Sequence, residues 1–283
     1  MKQRIITGVL GALFGLAVLA FMFTPVLGIV IAIVSLLASY EIQHVAKIEN
    51  KLLMIINIVL AAFMPFAYEY KLFSKLPFPT YVLAIVYVIA MMFIMLGNYK
   101  KTKFEDVVMS MFCGVIVPYV MSTITLLRNL CLSRPDQKSH VFFIIFTALL
   151  SAWLNDAFAY FVGRKFGKHK LAPNISPKKS VEGAIGGIVI TMLFNLAFFF
   201  IFDYFFFKND TIKWWMIPAT SMFLSAISIG GDLSASVIKR NFGEKDFGTI
   251  FPGHGGIMDR FDSYSFVMPM LYAIISLILS VGA

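Results

Sequence analysis

Gly183–Phe206, GAIGGIVITMLFNLAFFFIFDYFF, is the stretch that decides the fold: its 24 residues carry a single charge, Asp203. As an α-helix rising 1.5 Å per residue it would run about 36 Å, longer than the roughly 30 Å hydrocarbon core of a bilayer. The rest of the chain repeats the pattern. Of 283 residues, 59% are apolar and only 14% charged, with a mean hydropathy of +0.84. Soluble chains hold about 45–50% apolar and about 25% charged residues, and one this apolar could not cover its core with polar surface. A water-soluble domain is therefore close to excluded. Thirty phenylalanines and sixteen methionines suit lipid-facing helices. No Gly/Ser-rich or Pro-rich tract is long enough for a linker.

Nine weakly charged runs of spanning length lie near 5–23, 26–45, 52–70, 79–97, 106–127, 140–163, 183–206, 214–231 and 263–281. They predict an all-α integral membrane protein with about nine transmembrane helices. We read 1–283 as a single polytopic membrane domain, with N-terminal helices over 1–138 and the helices and loops that carry chemistry over 139–283. The first run follows Lys2 and Arg4, yet it exceeds a signal-peptide core and no Ala-x-Ala-like cleavage site follows, so it is read as retained. Thr24 and Pro25 leave only a tight turn before the second run, which predicts an antiparallel hairpin. No repeat at a fixed period is visible. Cys113 and Cys131 form neither a CxxC nor a His-paired spacing and are read as packing residues.

Basic residues in short loops stay on the cytoplasmic side. With the N-terminus inside, seventeen of the 24 Lys and Arg residues fall in cytoplasmic segments and seven (Lys71, Lys75, Arg128, Arg134, Lys138, Lys208, Lys213) on the opposite side. The predicted topology is N-terminus in, C-terminus out. The net charge of +9 then gathers on the cytoplasmic face, where it attracts anionic lipid or a polyphosphate. Nucleic acid is a poor partner, because no soluble module is available to read a groove.

Two cytoplasmic loops stand out, Gly163 to Gly183 and Gly231 to Asp262. In the first, Ser176 and Ser180 can donate hydrogen bonds to phosphate oxygens, and Lys178 and Lys179 supply point charges. The plainer reading is a positive-inside loop whose Ser180 caps the seventh helix, and charge alone favours it. The acids shift that balance. Asp156 lies inside the sixth run, one to two turns from its cytoplasmic end, where an ionisable group is costly and marks function by default. Asp232 follows Gly230-Gly231 at the inner end of the eighth run. Asp259 and Asp262 stand three apart before the ninth, where helix capping is the alternative role. In this topology the four carboxylates converge on one membrane surface. Acids facing bases suit divalent-metal phosphoryl or nucleotidyl transfer, with carboxylates holding Mg²⁺ beside substrate phosphates. The glycines of Pro252-Gly253-His254-Gly255-Gly256 would let backbone amides approach a phosphate, although they could equally form a simple turn. His254 could bridge structurally or titrate near neutrality.

Ser236-Val237-Ile238-Lys239-Arg240, Lys245-Asp246-Phe247-Gly248 and Phe251-Pro252-Gly253-His254-Gly255-Gly256-Ile257-Met258-Asp259-Arg260-Phe261-Asp262 together resemble the signature of the phosphatidate cytidylyltransferases, or CDP-diacylglycerol synthases, without departure over 27 residues. The segment from Asp156 to Gly187, with Gly163-Arg164, Ser176-Pro177-Lys178-Lys179-Ser180 and Glu182-Gly183, resembles the family's second characteristic region. Glu41 resembles a family feature weakly, and residues 46–150 match only as apolar spans. The resemblance implies a many-spanning enzyme converting CTP and phosphatidate to CDP-diacylglycerol and pyrophosphate, with Mg²⁺ required and K⁺ a candidate second ion. Carried over residue by residue, Asp232 and Asp259 are the leading metal ligands. Asp156 is a further metal candidate and Asp262 a further catalytic acid. Ser236, Lys239, Arg240, Lys245, His254, Gly255, Gly256 and Arg260 would join the Ser176–Ser180 loop in holding CTP and lipid phosphates. The short N-terminal segment points to the bacterial form and hence to a bacterial inner membrane, with the site facing the cytoplasm; a homodimer is left open.

Since the phosphatidate oxygen is already anionic, direct in-line attack on the α-phosphorus needs no strong base. No Ser/His/Asp or Cys/His arrangement argues for a covalent intermediate. Three rivals remain: a CTP-dependent lipid kinase, against which the 236–262 signature speaks; a transporter for an anionic solute, whose charges would sit near the midplane; and a non-catalytic scaffold, which gives no reason for Asp156.

Overall fold

The computed structural model describes residues 11, 13–132, 138–207, 212–251, 253 and 255–281. Lys2, Arg4, Arg134, Lys208 and His254 lie outside them. The described chain is helical throughout except for one short hairpin and its connecting turns. In chain order the helices are α1 (Val26–Val45), α2 (Lys51–Glu69), α3 (Thr80–Gly97), α4 (Phe104–Met111), α5 (Val117–Cys131), α6 (Lys138–Phe166), α7 (Val181–Phe206), α8 (Met216–Asn241), α9 (Met258–Phe261) and α10 (Tyr264–Val281). A π-helical turn at Phe112–Ile116 joins α4 to α5, so Phe104–Cys131 runs as one span of 28 residues. Among the described residues, seven helices are long and apolar enough to cross a membrane, and the apolar Tyr264–Ser280 is shorter. Residues 13–20 of the first run are helical and end in a turn at 21–25; its beginning lies outside the described residues.

The spans start and stop close to where the apolar runs do, with two departures. The eighth helix does not end at Gly231; it continues through polar Asp232–Asn241 and stops only before Gly243, which has φ +75°. Nothing in those ten residues breaks a helix, and a left-handed glycine just beyond the last turn is the usual stop. Ser236, Lys239 and Arg240 are therefore helical, not loop, residues. In the first loop, β1 (Lys170–Ala172) pairs antiparallel with β2 (Ser176–Ser180), with Lys170 opposite Ser180 and Ala172 opposite Ser176.

The residues form two compact units: Met1–Leu126 with Glu244–Arg260, and Leu127–Gly243 with Phe261–Ala283. In the first, Asn50 caps α2 by accepting from Leu53 N at 3.2 Å and donates to Thr102 Oγ1 at 2.8 Å. Buried Asn57 donates to Leu53 O at 2.8 Å and accepts from the Tyr87 hydroxyl. In the second, Gly183 and Gly187, four apart on one face of α7, lie where an added Cβ would meet Ala159 O and Asn155 O of α6. Small residues at that spacing let two apolar helices approach closely. A buried polar seam ties three helices together. Asn195 of α7 donates to Ser151 Oγ of α6 at 2.9 Å and to Ser221 Oγ of α8 at 2.8 Å, and Asn155 donates to Ser225 O at 3.4 Å. Elsewhere in this unit Phe143, Phe199, Phe202, Phe207 and Ile217 form an apolar cluster.

Candidate active site

In the second unit the acids gather around Ser263. Asp156 lies on α6, ten residues before its end at Phe166 and so roughly 15 Å along the axis from that end. Its Oδ2 accepts from the Ser263 hydroxyl at 3.0 Å, and the Ser263 amide donates to Asp262 Oδ1 at 2.7 Å. Asp262 occupies the turn between α9 and α10. Asp232, Ser236 and Lys239 share one face of α8 at i, i+4 and i+7. Lys179, at the end of β2, forms an ion pair with Asp232, the two side chains being 24% and 21% exposed. Burial, then the neighbouring Asp232 and Asp156 charges, push the Asp262 carboxyl from 3.8 up to about 7; the Ser263 amide and Lys239 oppose the shift. Three carboxylates and two lysines thus come together from the interior of α6, from α8, from the end of β2 and from the turn before α10.

Around this cluster the basic loop is a built element. Ser180 is buried and accepts from Gly183 N at 3.2 Å, so it is the cap of α7. Glu182 accepts from the amides of Lys168 at 3.0 Å and His169 at 3.2 Å, and pairs with His169 Nδ1 at 2.6 Å, closing the base of the hairpin. Lys178 is exposed and Ser176 half-buried on β2. Arg240, near the end of α8, is exposed.

Asp259 belongs to the first unit. It is buried within α9, and its Oδ2 accepts from Phe247 N at 2.7 Å and Gly256 N at 2.9 Å. It does not share a helical face with Asp262, because α9 ends at Phe261. The Gly256 amide, expected to approach a phosphate, is donated to Asp259. Of the described residues in the glycine stretch, Gly253 and Gly255 have φ +79° and +84°, and Phe251 N donates to Gly255 O at 2.9 Å. Lys245 and Arg260 are exposed; Lys245 helps line a groove of about 680 Å³ with His44, Lys47 and the backbone around Phe247.

Two polar side chains that hold these acids and loops went unassigned in the sequence. Ser263 carries no signal beyond following Asp262. Glu41, only weakly noticed, is buried in α1 at 3% exposure, and its two oxygens accept from Ile257 N and Met258 N, both at 2.9 Å. A buried acid in an apolar span was the available signal.

Among the described residues no group of three or more His, Cys, Asp or Glu side chains is arranged to hold a metal ion. Mg²⁺ does not need such a cage, since one or two carboxylates complete its shell with substrate phosphates and water. Carboxylate oxygens, as Asp156, Asp232 and Asp262 supply in the second unit, are donors of the kind Mg²⁺ takes.

A family model described as the cytidylyltransferase family matches residues 2–278. The chain belongs to that family. It is 32% identical over 283 residues to the phosphatidate cytidylyltransferase of Bacillus subtilis (strain 168), covering 98% of each protein. It is 38% identical over 187 residues to the phosphatidate cytidylyltransferase of Staphylococcus saprophyticus, covering 65% of this chain and 66% of that protein. Over 136 residues it is 43% identical to the phosphatidate cytidylyltransferase of Staphylococcus aureus (strain COL), which is 48% of this chain and 50% of that one. This cytidylyltransferase-family chain carries Asp156 and Asp232 on helices long and apolar enough to cross a membrane.

Proposed function

We propose that this family member transfers the cytidylyl group of CTP to phosphatidate, forming CDP-diacylglycerol and releasing pyrophosphate as a step in phospholipid synthesis. The observation that carries the reading is the juxtaposition of Asp156, Asp232 and Asp262 with Lys179 and Lys239. Such a place lets a polar nucleotide meet a lipid phosphate whose acyl chains remain in the bilayer. The proposed topology, N-terminus inside and C-terminus outside, puts this cluster on the cytoplasmic side of the inner membrane, where CTP is found.

An anionic phosphatidate oxygen attacks the α-phosphorus of CTP; the new P–O bond forms as the α–β anhydride bond breaks and pyrophosphate departs. The barrier is chiefly the approach of two polyanions. Asp232 and Asp156 would hold Mg²⁺; Asp259, in the first unit, is a further proposed ligand. When bound, Mg²⁺ neutralises the converging charge and that developing on the leaving group. Lys179, Lys178 and Lys239 supply further positive charge to the phosphates, while Ser263 fixes the carboxylates of Asp156 and Asp262 relative to each other. Ser176, Ser236, Arg240, Lys245 and Arg260 are proposed phosphate contacts. The resemblance alone supports K⁺ as a second ion, and a homodimer stays within this proposal.

Purified protein in detergent, given Mg²⁺, phosphatidate and CTP labelled in the cytidine, should yield a lipid-soluble labelled product and equimolar pyrophosphate. Transfer of label only from the γ-phosphate to a lipid alcohol would identify a CTP-dependent lipid kinase instead. No lipid-soluble product under either labelling would refute the assignment.

A further inference from the structure

The acid buried in α1 is separated by more than two hundred residues from the amides it binds, and it takes two consecutive ones. Glu41 Oε1 accepts from Ile257 N and Oε2 from Met258 N, each at 2.9 Å. The next residue is Asp259, whose Oδ2 binds Phe247 N and Gly256 N. Two carboxylates thus hold four amides between Phe247 and Met258, one reaching in from α1 and one from α9. Gly248 and Gly256 lie against the Glu41 carboxylate, where a Cβ on either would collide with it. A loop of this length would otherwise sample many backbone conformations, since loops have few packed contacts to restrain them.

We propose that Glu41 is a positioning residue, fixing through Ile257 and Met258 the backbone from which Asp259 presents its carboxylate. The proposal rests on the preceding functional reading for Asp259 but not for the clamp itself. A charged acceptor makes shorter and stronger hydrogen bonds than a neutral one, and supporting groups one shell away from a metal ligand typically change activity about 10- to 100-fold when removed. Gln at position 41 keeps the shape, loses the charge and replaces one accepting oxygen by a donor that cannot bind an amide N–H.

The test compares wild type, Glu41→Gln and Gly248→Ala in detergent. The second variant leaves Glu41 intact but presses a methyl group against its carboxylate, and it serves if the first folds poorly. Hydrogen–deuterium exchange should rise in both across 247–258, by about tenfold or more, with the remaining spans unchanged. Per folded molecule, kcat should fall about 10- to 100-fold with little change in KM for CTP. Glu41→Asp should recover part of both. Wild-type exchange in 247–258 would overturn the clamp, and raised exchange with unchanged kcat would reduce Glu41 to a scaffold role. If wild type itself transfers no cytidylyl group, the functional reading falls, and the exchange measurement still decides whether Glu41 holds the backbone of Asp259.

Discussion

Replacing Asp232 by Asn separates chemistry from folding, because two opposing electrostatic contacts meet on that side chain. Its ion pair with Lys179 is lost; with both side chains partly hydrated, such a pair contributes about 1 kcal/mol or less. Its repulsion of the buried Asp262 carboxyl is relieved, an effect of opposite sign. The two oppose each other, so the folding free energy should fall by no more than the ion pair's roughly 1 kcal/mol, and the melting midpoint by no more than about 4 °C. Catalysis has no such compensation. A lost metal ligand removes charge stabilisation from the transition state, and a hundredfold fall in turnover corresponds to about 2.7 kcal/mol. We expect Asp232→Asn to melt near wild type and to retain less than about one hundredth of its cytidylyl transfer across a Mg²⁺ titration. Lys179→Ala should contrast with it, raising the CTP or phosphatidate requirement more than it lowers kcat. Asp232→Asn turnover within tenfold of wild type at limiting Mg²⁺, with an unchanged Mg²⁺ midpoint, would refute the role given to Asp232.

Three further outcomes are expected. Because the folded Asp262 carboxyl is raised from 3.8 to about 7, the stability it contributes is present below about pH 4 and lost as pH rises to 7; melting scans should show this decline, and Asp262→Asn should flatten it. Asp156→Asn still offers an oxygen to the Ser263 hydroxyl, so it should keep its melting midpoint while losing most transfer, and a collapsed midpoint would instead favour a packing role. Single cysteines at 101, 178 and 245 should label only from the cytoplasmic side in intact cells, and those at 138 and 208 only from outside; equal outside access at 178 and 138 would refute the topology.

The spans were legible because each reports its own environment. Val26–Val45 matches its apolar run at both ends, and α2, α3 and α7 match within two residues. The polar third of α8 was not, since hydropathy stops at Gly231 whereas the backbone stops only where something breaks it. Gly243 was a readable stop signal that hydropathy alone ignores. The hairpin escaped notice because strands of three and five residues are too short to show alternation. At the site, the acid types and the lysines could be read, but their partners could not. Asp156 meets Ser263 across 107 residues and Glu41 meets Met258 across 217, separations that no local spacing encodes. The polar seam was partly readable: Ser221, Ser225 and Ser228 recur at i, i+4 and i+7 on α8, a polar stripe in a segment that otherwise faces an apolar environment.

That stripe explains why the acids of the second unit can be held firmly while a lysine beside them stays movable. Asn155 precedes Asp156 directly and is anchored to α8, and Asn195 ties α7 to both neighbours, so α6 and α8 are fixed to each other below the carboxylates. Hydrogen bonds of this kind are the main directional contacts available between helices in lipid, where apolar packing is not favoured over contact with acyl chains. Lys179 is held differently. It sits at the edge of the hairpin, partly hydrated, on a flexible four-carbon stem. In the proposed reaction, exchanging its ammonium for a dication at Asp232 would require one side chain to swing, while Asp156 and Asp232 stay on helices tied to each other. Precise sites are built on such elements and not on loops.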